Sequence, residues 1–297
     1  MMKSLTDLES DRLGLKTVFH ALVGMVILFV GNILASLPVD LFYSITKFEP
    51  SFLIVIIRPL LEITVLLLLV WLYITKMLKM PLRDFRICKP KNIVIWALCA
   101  LALPVLVSAF FILFTEGIFT ASEFDTTKNL RIILRAIFSS CLVAGITEEL
   151  VFRGLIMRLL EKRWNKAVAA VVPSVCFGIL HILNMESPNI VDIIVLVIAG
   201  TAVGIMFSLI AMESGSIWAS AIVHGLWNLV IIGGILEISA EPLSSIFTYT
   251  LTSRSTLLTG GAFGIESSLP SIVGYGIVIC VALARLKRLS KENEVSN

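Results

Sequence analysis

Eight apolar stretches, each close to the length a helix needs to cross a bilayer (about 20 residues), dominate the chain. They fall near 17–37, 52–75, 93–115, 131–160, 167–184, 189–211, 216–236 and 270–286. Each reads as a transmembrane helix. The fourth is longer than one crossing, so its ends are expected to project from the bilayer. Composition agrees: 58% of residues are hydrophobic and 15% charged, against roughly 45–50% and about 25% in soluble domains. No internal repeat or low-complexity linker divides the sequence. The expectation is an all-α polytopic bundle of about eight spans, with residues 1–297 forming a single integral membrane domain.

The first 16 residues mix Lys3, Asp7, Glu9, Asp11, Arg12 and Lys16 ahead of the first apolar run. A cleavable signal has a short basic flank and an apolar core of about 7–15 residues. This run is longer and its flank is also acidic, so it reads as a retained first helix. Cations then alternate between loops. Lys76, Lys79, Arg83, Arg86, Lys89 and Lys91 follow span 2; Arg158, Lys162, Arg163 and Lys166 follow span 4; Arg285, Lys287, Arg288 and Lys291 follow span 8. The intervening loops are poor in cations: Lys47 with Asp40 and Glu49, Lys128 with Glu116, Glu123 and Asp125, and Arg254 with Glu237, Glu241 and Glu266. This alternation places both termini in the cytoplasm and calls for an even number of spans. The loop after span 6 fits least well, its only charge being Glu213.

The net charge of +3 is spread between the apolar runs, which speaks for a lipid bilayer and against nucleic acid as a partner. The five cysteines, Cys88, Cys99, Cys141, Cys176 and Cys280, form no CxxC pair. They read as small buried hydrophobes rather than disulfides or metal ligands. Region 237–269 is rich in Ser, Thr and Gly and ends in Thr259-Gly260-Gly261-Ala262-Phe263-Gly264. It lacks the strand and the Lys-Ser/Thr of a phosphate loop, and is expected to be a flexible outer loop.

Charge within the spans is costly, at least about 2.5–3.5 kcal/mol per residue at mid-bilayer, and is kept where it pairs, faces a cavity or does chemistry. Span 4 holds Glu148-Glu149-Leu150-Val151-Phe152-Arg153. Glu149 and Arg153 stand at i and i+4 and can neutralise one another. Glu148 is turned away by about 100° and lacks that partner. His181 lies in span 5, four residues after Phe177, which can pack on its ring; span 7 holds His224 and Asn228, again at i and i+4. Two further groups look structural. Arg58 and Glu62 of span 2 are spaced as an ion pair, and Asp192 with Asn189 opens span 6 as a helix cap.

Glu148, His181, His224 and Asn228 together offer what amide hydrolysis needs. A Glu and a His can activate water, and a second His with an Asn can donate to the oxyanion. One Glu and two His (Glu148, His181, His224) could instead bind zinc with a position open for water. Both remain open at this point. No serine sits in a nucleophile elbow beside a mid-span histidine, and no HExxH is present.

Glu148-Glu149-x-x-x-Arg153, Phe177-x-x-x-His181 and His224-x-x-x-Asn228, in this order on successive spans, resemble the three motifs of the CPBP family of CAAX proteases and bacteriocin-processing enzymes, also called Abi. The motif-bearing core covers about 130–235, and the Thr-Gly-Gly-Ala-Phe-Gly stretch is similar to segments of bacterial members. The resemblance implies an eight-helix intramembrane endopeptidase, glutamate- or metal-dependent, in a bacterial plasma membrane. Its substrate would be a bacteriocin, a leader peptide or a lipidated protein. It implies that Glu148 activates water with help from His181. His224 and Asn228 would bind the oxyanion, or His224 would join His181 on a metal. Glu149 and Arg153 would hold span 4 in register. The competing classes are a proton-coupled transporter, which usually shows internal repeats, and a non-catalytic immunity or scaffold protein.

Overall fold

The computed structural model describes residues 14–46, 52–241 and 244–296. The acidic and basic residues expected to flank span 1 up to Arg12, and Lys47 and Glu49 of the first loop, lie outside the described residues.

The architecture is a polytopic helical bundle. Its helices are α1 (Leu15–Thr46), α2 (Phe52–Leu72, continued by a wide turn Tyr73–Met77) and α3 (Ile93–Phe114). Next comes α4 (Thr126–Arg163), then α5 (Lys166–Leu180, closed by a tighter turn His181–Asn184) and α6 (Ile190–Ser214), followed by α7 (Ile217–Ile231) and α8 (Leu269–Ser296). Among the described residues, seven helices are long and apolar enough to span a membrane, and α7 is a shorter eighth. At 1.5 Å rise per residue, α7 falls short of a full crossing. It is instead enclosed: Ile217, Ala219, Val223, Trp227 and Ile231 are buried on its flanks. The helix ends at Ile231, five residues before the span edge expected at 236, and Gly233 and Gly234 follow, with Gly234 at φ +78°.

The molecule is apolar outside as well as inside. Leu22, Val26, Phe29 and Ile33 of α1 and Leu98, Leu101 and Val105 of α3 are exposed, as surfaces facing acyl chains should be. Between helices of such a protein there is no hydrophobic drive beyond that toward lipid, so close packing of small residues does the work. A Cβ on Gly225 of α7 would stand 2.7 Å from the carbonyl oxygen of Cys141 in α4, and one on Gly200 of α6 would stand 2.6 Å from the Cα of Gly178 in α5. These near-contacts draw α4 to α7 and α5 to α6 at the level of the motif residues.

Two clusters form the core. One joins α3, α6, α7 and α8 through Trp96, Phe111, Phe207, Trp227 and Tyr275; the other joins the end of α2, α4 and α5 through Ile74, Phe85, Leu155 and Phe177. At one end of the bundle the cationic loops are tied together. Arg86 pairs with Glu161 (2.8 Å), Lys162 with Asp84 (3.2 Å), and the Ser216 hydroxyl donates to Cys88 O (2.5 Å). Glu213, the lone charge after span 6, is sealed there. It accepts from Arg285 Nε (2.7 Å), the Trp96 indole (2.7 Å) and Asn92 (3.0 Å).

The other end carries a small sheet that the apolar pattern does not predict, β1 (Gly117–Ala121), β2 (Leu236–Ser239) and β3 (Phe247–Leu251), in the order β1-β3-β2. β1 runs antiparallel to β3 with Gly117 opposite Leu251, and β2 runs parallel to β3 with Leu236 opposite Phe247. The described residues of region 237–269, expected to be a flexible outer loop, thus include strand and short helical turns. A second departure concerns span 2. Arg58 lies nearest Asp40 of α1 (3.8 Å), and Glu62 accepts from Asn32 of α1 (2.7 Å). The i, i+4 pair gives way to partners on the neighbouring helix. Asn189 and Asp192 do cap α6, each side chain bonding the other's backbone N–H. The five cysteines are unpaired, and the expected burial is only partial: Cys88, Cys99, Cys141 and Cys176 are half-buried and Cys280 is exposed.

Candidate active site

The motif-bearing part of α4 is wound more widely than an α-helix. From Ala136 to Ile156 its bonds are largely of the i→i+5 kind, as from Met157 N–H to Phe152 O. Such winding is rare and recurs at functional sites. It places Glu148 and Glu149 on different walls. Glu149 is fully enclosed, and Arg153 Nη1 reaches its Oε1 at 2.8 Å. The guanidinium also donates to Gly204 O of α6 (3.0 Å) and lies between the rings of Phe177 and Phe207, with Cζ 4.8 and 5.2 Å from their centroids. The expected Glu149–Arg153 pair is therefore present, and through Arg153 it joins α4 to α5 and α6.

Glu149 has a second partner that spacing within one helix does not reveal. Nδ1 of His224, on α7, stands 3.1 Å from the same Oε1. A carboxylate only accepts, so Nδ1 carries a proton, and in the neutral form of the ring Nε2 is the acceptor. Phe207 stacks on the imidazole at 4.6 Å between centroids, fixing its plane. Nε2 then faces Glu148 Oε2 at 3.9 Å. That oxygen has no hydrogen-bond partner among the described residues, although buried polar atoms nearly always have one.

His181 begins the tight turn that closes α5. Its Nδ1 donates to Phe177 O (2.7 Å), which likewise leaves Nε2 as the accepting nitrogen, and the Phe177 ring packs against it at 4.4 Å. Asn228 is buried one turn after His224. The four motif groups Glu148, His181, His224 and Asn228 line one cavity of about 350 Å³, and Glu149 and Arg153 stand behind its wall. Exposed Asn184 and Ala262 mark the mouth, at the end of the bundle that carries the sheet.

Sequence reasoning missed the roof. Phe263, Glu266 and Ser267, from the stretch taken as an outer loop, line the cavity together with Trp227 and Tyr275. Phe263 meets the edge of His181 at 5.8 Å, and the Trp227 indole donates to Glu266 Oε2 at 3.4 Å. Burial pushes the Glu266 carboxyl above the usual carboxylate range. The Gly260-Gly261 pair and Gly264 were the available signal. All three have positive φ (79°, 63° and 96°), as a strap that turns back into a protein requires.

The donors do not fit a metal ion. Among the described residues no group of three His, Cys, Asp or Glu converges as a ligand set. The Nδ1 atoms of His224 and His181 are committed to Glu149 and to Phe177 O, and Glu148 and the two Nε2 atoms line one cavity without drawing together as a ligand set.

Residues 129–230 match the family described as type II CAAX prenyl endopeptidase Rce1-like. The chain is also similar to the protein named "Putative membrane peptidase YdiL" of Bacillus subtilis (strain 168). The two are 27% identical over 171 aligned residues, and the match covers 53% of this chain and 64% of that relative.

Proposed function

We infer, from the match of residues 129–230 to the type II CAAX prenyl endopeptidase Rce1-like family, that this integral membrane protein is a peptidase that hydrolyses a peptide bond inside its bundle. The observation that supports it most is the 3.9 Å interval between Glu148 Oε2 and His224 Nε2, at the wall of the cavity. The interval is too long for a hydrogen bond and suits a water held by both groups.

In this reading Glu148 takes one proton of that water as general base, and His224 Nε2 accepts a hydrogen bond from the other and aims the oxygen. The oxygen attacks the carbonyl carbon of the peptide. Asn228 donates its amide N–H to the oxyanion that forms. When the C–N bond breaks, Glu148 returns its proton to the leaving nitrogen. This division differs from the one the motifs suggest. With Nδ1–H held by Glu149, His224 serves the water rather than the oxyanion in its neutral form. His181, with its own accepting Nε2, is the second base. Glu149 and Arg153 position these groups.

The substrate is a peptide or small protein, in the class of bacteriocins, leader peptides or lipidated proteins, and the setting is a bacterial plasma membrane with the cationic loops and both termini in the cytoplasm. The test is cleavage of quenched fluorescent peptides by the purified protein. Wild type should cut and Glu148→Ala should not, with equal membrane insertion of both; full activity in Glu148→Ala would remove the proposed base.

A further inference from the structure

Two carboxylates line the cavity, Glu148 and Glu266, and the hydrolysis above uses only the first. Glu266 is held there by construction. Tyr275 O–H donates to its backbone oxygen (3.0 Å), and the preceding Ile265 is buried, its carbonyl accepting from the hydroxyls of Ser268 (2.5 Å) and Ser271 (2.6 Å). The strap thus delivers a carboxylate into the roof of the cavity from a separate part of the chain. The indole bond from Trp227 is long, 3.4 Å, and a carboxylate accepts about four hydrogen bonds, so much of its capacity faces the cavity.

Among the described residues no Lys or Arg balances it from the wall. None of the lining residues is Lys or Arg, and Arg153 is sealed with Glu149 behind Phe177 and Phe207. The titratable groups that share the cavity with Glu266 are Glu148, the two imidazoles and the Tyr275 hydroxyl. A confined cleft with carboxylates of one sign and low-dielectric walls concentrates positive charge.

We propose, resting on the peptidase reading, that Glu266 is a specificity residue that receives the cationic side chain of a lysine or arginine beside the scissile bond of the substrate. The substrate class is then narrower than peptides in general: basic peptides are taken and acidic ones are repelled. Glu266 touches a part of the substrate that does not react, so its loss should redistribute preference rather than abolish turnover.

The test uses the full chain in lipid nanodiscs and three matched fluorogenic peptides that carry Lys, Met or Glu beside the bond. Wild type should prefer Lys over Met by about tenfold in kcat/KM, the scale of one charged hydrogen bond. Glu266→Gln, which still accepts from Trp227, should lose that preference while keeping turnover of the Met peptide. Glu266→Lys should favour the Glu peptide. An unchanged Lys:Met ratio in Glu266→Gln, or an equal loss for all three peptides, overturns the proposal. A binding arm separates this claim from the peptidase reading. Anisotropy of the labelled peptides on Glu148→Gln should show the same Lys preference, lost in Glu148→Gln/Glu266→Gln. Charge-selective binding without cleavage by wild type would sink the peptidase reading and leave the cation site standing. Cleavage without charge preference would sink the cation site alone.

Discussion

His224 and Glu149 meet across two helices, Nδ1 to Oε1 at 3.1 Å, and that bond decides which nitrogen of the imidazole faces the cavity. Glu149 is also the partner of Arg153, so one buried carboxylate carries both an ion pair and the orientation of a ring. Removing one member of a buried pair strands the other, at about 3–5 kcal/mol. Arg153→Ala and Glu149→Ala are each expected to lower the melting temperature and yield of the purified protein. The apolar replacement Glu149→Leu/Arg153→Met should recover much of the stability and none of the activity, because it restores packing without orienting His224. Thermal melts and peptide turnover on the three variants check this; a normal melt for Arg153→Ala would contradict the pairing.

Glu148 makes the opposite prediction. Its side chain is partly exposed to the cavity and its Oε2 bonds nothing among the described residues. Glu148→Gln should therefore fold and melt like wild type while kcat falls about 10²–10⁴-fold, the usual contribution of a general base. A stability loss like that of Glu149→Ala would recast Glu148 as a structural group.

Asn228 is assigned the oxyanion. Asn228→Ala should cost about 10²–10³-fold in kcat with KM little changed, since the contact strengthens only as charge develops on the substrate oxygen. A rise in KM with kcat intact would place Asn228 in ground-state binding instead.

Packing next to the site is tested at Gly225. A side chain there would collide with backbone of α4 at Cys141, and parting the helices would lengthen the reach from His224 to both glutamates. Gly225→Val should destabilise by about 1–3 kcal/mol, the range for overpacking, and should suppress turnover even though valine carries no charge. Full activity in Gly225→Val would mean that the α4–α7 approach does not set the site.

What the sequence makes legible follows from the solvent. In lipid each span must be a long apolar run, so α1 to α6 and α8 stand out directly. Even the 15-residue α7 shows as an apolar run, although the run reads on through Gly233-Gly234 to 236, past its true end at Ile231. Intramembrane charge is equally visible, being rare. Glu148, His181, His224 and Asn228 could be named together because each breaks an apolar run. Partners across helices were not legible, since nothing in local spacing ties Glu149 to His224 or turns Arg58 toward Asp40. Nor were β1, β2 and β3, each four or five residues long, too short for alternation to rise above noise. Glu266 was hidden for a related reason. In sequence it is an ordinary loop carboxylate, and only the turns at Gly260, Gly261 and Gly264 carry it into the cavity.

The most direct test of the hydrolytic site is isotopic. Purified wild type and Glu148→Gln would be incubated with a cleavable peptide in H₂¹⁸O, and the products read by mass spectrometry. The account predicts that wild type yields two fragments, with one ¹⁸O in the new carboxylate at early times, and that Glu148→Gln yields intact peptide. Equal cleavage by Glu148→Gln, or peptide that crosses a vesicle membrane uncut by wild type, would contradict it.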